Sequence, residues 1–80
     1  MKTNSEASAI ATFLSKLESA SILAENYVCL SYINEKEVVV VLYRYKAYTI
    51  NVHMNSVSAT FRDVIRGLAK IIDGEVEEDE

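Results

Sequence analysis

At 80 residues, half of them hydrophobic, with a formal net charge of −4, the chain makes one small domain and is too apolar to be disordered. A single cysteine, Cys29, excludes an internal disulfide, and a single histidine, His53, removes the Cys/His spacing of a zinc site. No run approaches the roughly 18 apolar residues of a membrane span. No apolar signal-like segment follows the N-terminus either. The expectation is a cytoplasmic protein with no membrane, metal, cofactor or small-molecule substrate.

A domain this short buries only about 60% of the surface its unfolded chain exposes. Small domains make up the difference with disulfides, metals or association. With the first two excluded, association remains: a homodimer, or docking on another protein.

Charge is unevenly placed. Six of the twelve acids fall in the last eight residues, which leaves residues 1–72 with eight bases, six acids and a net charge of +2. The near-neutral body over 1–74 is read as a single domain. The acidic stretch 75–80 is read as a disordered tail.

In chain order, Thr3 and Glu6 fit a capping box. Ile10, Phe13, Leu14 and Leu17 then recur at helical spacing, with Ala7 and Ala20 extending the stripe, so a helix is predicted over roughly 4–21. A connector through Ile22 to Asn26 follows. Tyr27 to Ile33 reads as a first strand, Asn34-Glu35-Lys36 as a turn, and Glu37 to Tyr43 as a central strand rich in β-branched residues. Arg44-Tyr45-Lys46 makes a second reversal, and residues 48–54 a third strand of clean alternation. Asn55 or Ser56 caps a second helix with apolar Val57, Phe61, Val64, Ile65, Leu68, Ile71 and Ile72. Gly74 stands where a left-handed stop belongs. Gly67, inside the helix, marks close packing or nothing.

The predicted fold is α+β, in the order α-β-β-β-α. It is a three-stranded antiparallel meander of order 1-2-3 with both helices on one face.

The central strand is apolar on both sides, as a strand covered on both sides should be. Neither reversal contains glycine, which argues against three-residue loops and leaves lengths of two or four, both of one parity. Val28, Leu30, Tyr32, Val39, Val41, Tyr43, Tyr48, Ile50, Val52 and Met54 then lie under the helices. The opposite face shows Tyr27, Cys29 and Ser31 beside Val38, Val40 and Leu42, then Thr49, Asn51 and His53. An apolar stripe flanked by tyrosine on an uncovered face marks an interface. Its expected residues are Tyr27, Cys29, Val38, Val40, Leu42, Asn51 and His53.

No catalytic set is recognisable. Cys29 and His53 share the predicted face but sit on its two outer strands, roughly 10 Å apart, too far for a nucleophile and its base. Two basic features could serve nucleic acid: Arg44 and Lys46 interleaved with tyrosine at a hairpin tip, and Arg62, Arg66 and Lys70 at four-residue spacing on the second helix.

The element order over residues 4–73 is similar to that of double-stranded RNA-binding domains. That family places lysines at the start of its second helix, where this chain reads Asn55-Ser56-Val57-Ser58-Ala59. The likeness is one of order, and no residue roles carry over. Small size, sparse functional chemistry and an anionic end also resemble the small accessory proteins of phages and mobile elements. These include inhibitors of host defence enzymes such as anti-CRISPR proteins. That resemblance implies action by occluding a protein partner, with the tail imitating nucleic-acid phosphates.

The functional expectation is therefore a non-enzymatic protein-interaction module, homodimeric or docked on a protein partner. Nucleic-acid binding through the two basic features is the alternative.

Overall fold

The computed structural model describes residues 2–53 and 55–75. Three helices and three strands follow in the order α1 (Asn4–Glu18), α2 (Ser21–Glu25), β1 (Cys29–Ile33), β2 (Val38–Tyr43), β3 (Lys46–Asn51) and α3 (Val57–Ile72). The sheet is an antiparallel meander of order β1-β2-β3, as expected. Met54 and residues 76–80 of the acidic tail lie outside the described residues.

Helix α1 opens with the capping box read from the sequence. The Glu6 N–H donates to Thr3 Oγ1 at 3.2 Å and the Thr3 N–H donates to Glu6 Oε1 at 3.0 Å. That backbone donor, followed by the Thr3 hydroxyl, holds the Glu6 carboxyl below its ordinary value. The helix ends at Glu18, short of residue 21, because Ala20 turns extended (φ −63°, ψ 139°) and starts a new helical turn. Most of the segment expected to be a connector, Ile22 to Asn26, is thus the short helix α2. Its Leu23 is only 4% exposed and belongs to the core.

Of the two candidate caps for α3, Ser56 serves, accepting from the Ala59 N–H at 3.2 Å. Asn55 instead donates its side-chain N–H to the Asp63 carboxylate. The far end closes as a Schellman motif: Gly74, at φ 77°, donates to the Ile71 carbonyl, and Glu75 donates to that of Lys70.

Strand register matches the parity argument. Leu30 faces Val41 and Tyr48 across the three strands, and Tyr32 faces Val39 and Ile50. The turns have four residues (34–37) and two (44–45). Glycine-free turns do not, however, avoid left-handed backbone. Glu37 has φ 52°, Arg44 φ 54° and Tyr45 φ 66°. A two-residue turn with both residues left-handed is the type that matches the right-handed twist of its strands. That match outweighs a local cost of about 1–2 kcal/mol per residue.

The core lies between one sheet face and the helices. Ile10, Val39, Val41, Val52 and Val64 are fully buried. The Phe13 and Phe61 rings stack at 4.2 Å and join α1 to α3. Helix α3 inserts Thr60, Val64, Leu68 and Ile71. Ile65, expected in that stripe, stands one position round the helix and is 53% exposed.

Two side chains tie the periphery to the sheet. The Glu18 carboxylate accepts from the Leu30 N–H at the edge of β1. Asn34 Oδ1 accepts from the Lys2 N–H and the Tyr32 hydroxyl, while its amide donates to the Lys2 carbonyl. Burial, then the Glu37 charge, raises the Tyr32 phenol above its ordinary value.

Gly67 does mark close packing. A Cβ there would lie 2.7 Å from Ile50 Cδ1 and 3.1 Å from its Cγ1. Overpacking costs about 1–3 kcal/mol, against a helix-propensity gain of up to about 1 kcal/mol for alanine. Gly67→Ala should therefore destabilise the chain by about 1 kcal/mol. In an Ile50→Val background it should be neutral or stabilising. Urea unfolding of the four chains in that double-mutant cycle measures the coupling; additive effects would show that β3 yields to the extra methyl.

Candidate interaction face

The strand pleat puts alternate β2 residues on opposite sides. Val39 and Val41 point to the helices, while Val38, Val40 and Leu42 point away from them. Across the three strands the outward positions make three ladders: Cys29–Leu42–Ala47, Ser31–Val40–Thr49 and Ile33–Val38–Asn51. None of these nine residues is charged. Val38 and Val40 are half-buried by their neighbours, whereas Leu42 is 48% exposed. Helices α1 and α3 pack on the other side, and α2 abuts α1. Among the described residues, no element crosses this face.

Ile33 and Ala47 complete the ladders but were not among the residues expected there. The signal lay in the turn lengths: a four-residue turn sets Ile33 opposite Val38, and a two-residue turn sets Ala47 opposite Leu42.

One end of the face deepens into a cleft of about 700 Å³ lined by Glu25, Asn26, Tyr27, Cys29, Leu42, Arg44 and Tyr45. Tyr27 is not part of β1. It sits just before it at φ 55°, with its ring 86% exposed. The Tyr45 ring is fully exposed at the hairpin tip. Among the described residues, three of the four left-handed non-glycine positions, Tyr27, Arg44 and Tyr45, line this cleft. The Arg44 guanidinium lies 5.1 Å from the centre of the Tyr43 ring. Leu42 supplies apolar surface, the two tyrosines aromatic surface, and Glu25 and Arg44 opposite charges.

His53 lies at the other end. Its Nδ1 is 3.0 Å from Glu37 Oε2, and its N–H donates to Asn51 Oδ1 at 2.8 Å. The Glu37 side chain is almost wholly buried, while the imidazole is 64% exposed. The Lys2 ammonium closes this end by donating to the Val52 carbonyl. Cys29 and His53 therefore occupy opposite corners of the sheet, even further from a catalytic pair than two strand spacings.

The basic features separate as well. Arg44 and Lys46 stand at the hairpin tip beside the cleft. Arg62, Arg66 and Lys70 are exposed on α3, which packs on the side of the sheet away from the open face. Asp63, the nearest acid in sequence to that stripe, is engaged by Asn55. Among the described residues there is no cluster of three metal-ligating side chains, and no helix long and apolar enough to cross a membrane.

Comparison with protein families, with curated proteins and with solved structures finds no match.

Cys29 is a free, exposed thiol on this face and reports whether it is covered. Maleimide should label Cys29 completely in dilute protein. If the face is an interface, labelling should slow at least several-fold once it is occupied. Mass spectrometry against time at rising concentration, or with added partner, follows the change; a constant rate throughout would mean that the face stays open.

Proposed function

We propose that this chain is a non-enzymatic protein-interaction module that docks through the open face of its sheet. One observation carries the reading: an uncharged patch of nine residues, centred on Val38, Val40 and Leu42, has no covering element among the described residues. Ordinary surfaces scatter single apolar residues. Here they form a continuous central stripe that ends in a cleft with two exposed tyrosines, and aromatic residues are enriched where proteins bind one another. Association also supplies the buried apolar area that a domain of this size lacks. Action by occlusion of a partner, in the manner of small inhibitory accessory proteins, is consistent with these features.

A second reading, binding of single-stranded nucleic acid, is supported by the exposed Tyr45, flanked in sequence by the exposed cations Arg44 and Lys46. Stacking on a tyrosine beside positive charge is how such strands are held. Glu25 in the same cleft and the uncharged sheet beyond it favour protein.

Two measurements separate these readings. Val40→Asp should abolish self-association or partner binding in sedimentation, while Val40→Thr should weaken it with the circular dichroism of the fold retained. A wild-type chain whose mass and melting are both unmoved by Val40→Asp would end the interface reading. Deleting residues 75–80 should raise affinity for single-stranded DNA or RNA, with steep salt dependence, only if the second reading holds. A salt-insensitive or absent signal excludes it.

A further inference from the structure

We propose that the open face is occupied by a second copy of this chain, related by a two-fold axis running along β2. In this arrangement the Tyr45 hairpin of each copy seats in the other's cleft. The inference rests on the interaction reading above and names its partner.

The geometry follows from strand order. In a two-fold sheet-on-sheet dimer with the axis along the central strand, that strand lies over its own counterpart. The two outer strands exchange: β3 of one copy covers β1 of the other. Register then decides which groups meet. Val38, Val40 and Leu42 lie on the axis against their own equivalents, and the Ala47 edge covers the Cys29 edge. The β2–β3 turn and the start of β1 are at the same end of the sheet. The hairpin tip of each copy is therefore carried over the other's Glu25–Cys29 segment.

That end is self-complementary, as a two-fold contact requires. The knob is Tyr45, whose ring is wholly exposed. The hole is the cleft wall formed by Tyr27, Cys29 and Leu42. Arg44 stands beside the knob and Glu25 beside the hole. Within one chain both line the cleft, yet no ion pair joins them. Exchange between copies would form the pair twice. The Arg44 guanidinium lies over the ring of Tyr43, whose side chain points to the helix side, so the pairing requires Arg44 to swing from that ring to the open face.

Area sets a further requirement. Three strands spaced about 4.8 Å apart, rising about 3.4 Å per residue, cover only about 300 Å² in projection. A stable dimer needs about 800 Å² per partner. The flat face alone is too small, and the hairpin and cleft are the adjoining surfaces that enlarge it.

The test is a charge exchange on the full chain, using Arg44→Glu and Glu25→Arg, both at exposed positions outside the core. Each variant alone should dissociate about tenfold more readily than wild type in sedimentation equilibrium, because like charges then oppose each other twice. Mixed in equal amounts, the two variants should form a heterodimer of near wild-type affinity. The carboxylate introduced by Arg44→Glu then faces the guanidinium introduced by Glu25→Arg, and the remaining Arg44 faces the remaining Glu25. No change within a single chain can imitate that rescue. Tyr45→Ala should weaken the dimer without lowering the melting midpoint of the monomer.

A dimer that Val40→Asp breaks but that ignores both charge reversals, or that mixing fails to restore, overturns the interlock and leaves the interaction reading standing. A wild-type chain that stays monomeric at high concentration overturns the second copy as occupant. If Val40→Asp nevertheless abolishes capture of a different protein, the face is still an interface, though for another partner.

Discussion

Everything in this fold depends on a sheet with two faces and, among the described residues, helix enough for one. Val39 and Val41 are fully buried, while Val38, Val40 and Leu42, interleaved with them on the same strand, look the other way. The pleat makes that division unavoidable, since adjacent residues of a strand cannot share a side. Burying a valine or leucine side chain contributes about 1.5–3 kcal/mol relative to leaving it in water. For a domain whose whole stability is about 5–15 kcal/mol, three incompletely covered side chains are a substantial unused reserve.

The same economy of chain length shapes the two ends of the sheet. At one end Asn34 bonds to Lys2 and Tyr32, the Glu37 N–H donates to the Asn34 carbonyl, and the Glu37 carboxylate meets His53 Nδ1, which closes the turn against the N-terminal segment. At the other end Tyr27, Arg44 and Tyr45 adopt left-handed backbone and leave both tyrosine rings in solvent. Left-handed bulky residues are disfavoured unless the surroundings hold them. The tight two-residue hairpin accounts for Arg44 and Tyr45. Tyr27 has a local reason too: its N–H donates to the Ala24 carbonyl and the Val28 N–H to the Leu23 carbonyl, which wraps the exit of α2. These constraints fix the backbone at both tyrosines. A firmly built hairpin tip beside a preformed hollow needs little reordering on contact.

Much of this was legible in the residues. The capping box of Thr3 and Glu6, the stop at Gly74, the meander order and the face of most strand positions followed from spacing and turn parity; Ile33, Lys46 and Ala47 did not. What escaped was set by tertiary context. Glu37, Arg44 and Tyr45 carry no local mark of left-handed backbone, because the residue that would announce it, glycine, is absent. Helix α2 was hidden because five residues, Ser-Ile-Leu-Ala-Glu, are too few to show a period. Its Leu23 is recognisable as core only once α1 stops at Glu18. Thr60 reads as a polar helix position, yet it is fully buried with its hydroxyl unpartnered, a cost accepted where α3 meets the sheet. The open face could be inferred from a count of helices against apolar faces. The cleft could not, since it brings together side chains from the end of α2, the start of β1 and the β2–β3 turn.

The two edges of the sheet bear on the proposed docking. An unpaired edge invites another strand, and proteins commonly block it. Here the β1 edge is engaged by the Glu18 carboxylate on the Leu30 N–H, with α1 packed beside it. Among the described residues the β3 edge has no strand beyond it, but its accessible face positions are short and polar, Thr49 and Asn51, and Lys46 begins the strand. A lysine on an edge strand discourages growth of a sheet by strand addition. The apolar stripe lies on the central strand, away from either edge, where only a surface laid flat against the sheet can reach it. Edges that discourage lengthening of the sheet, beside a greasy middle, favour the proposed docking by a surface stacked flat on the face, which would also meet the cleft at the end of that stripe.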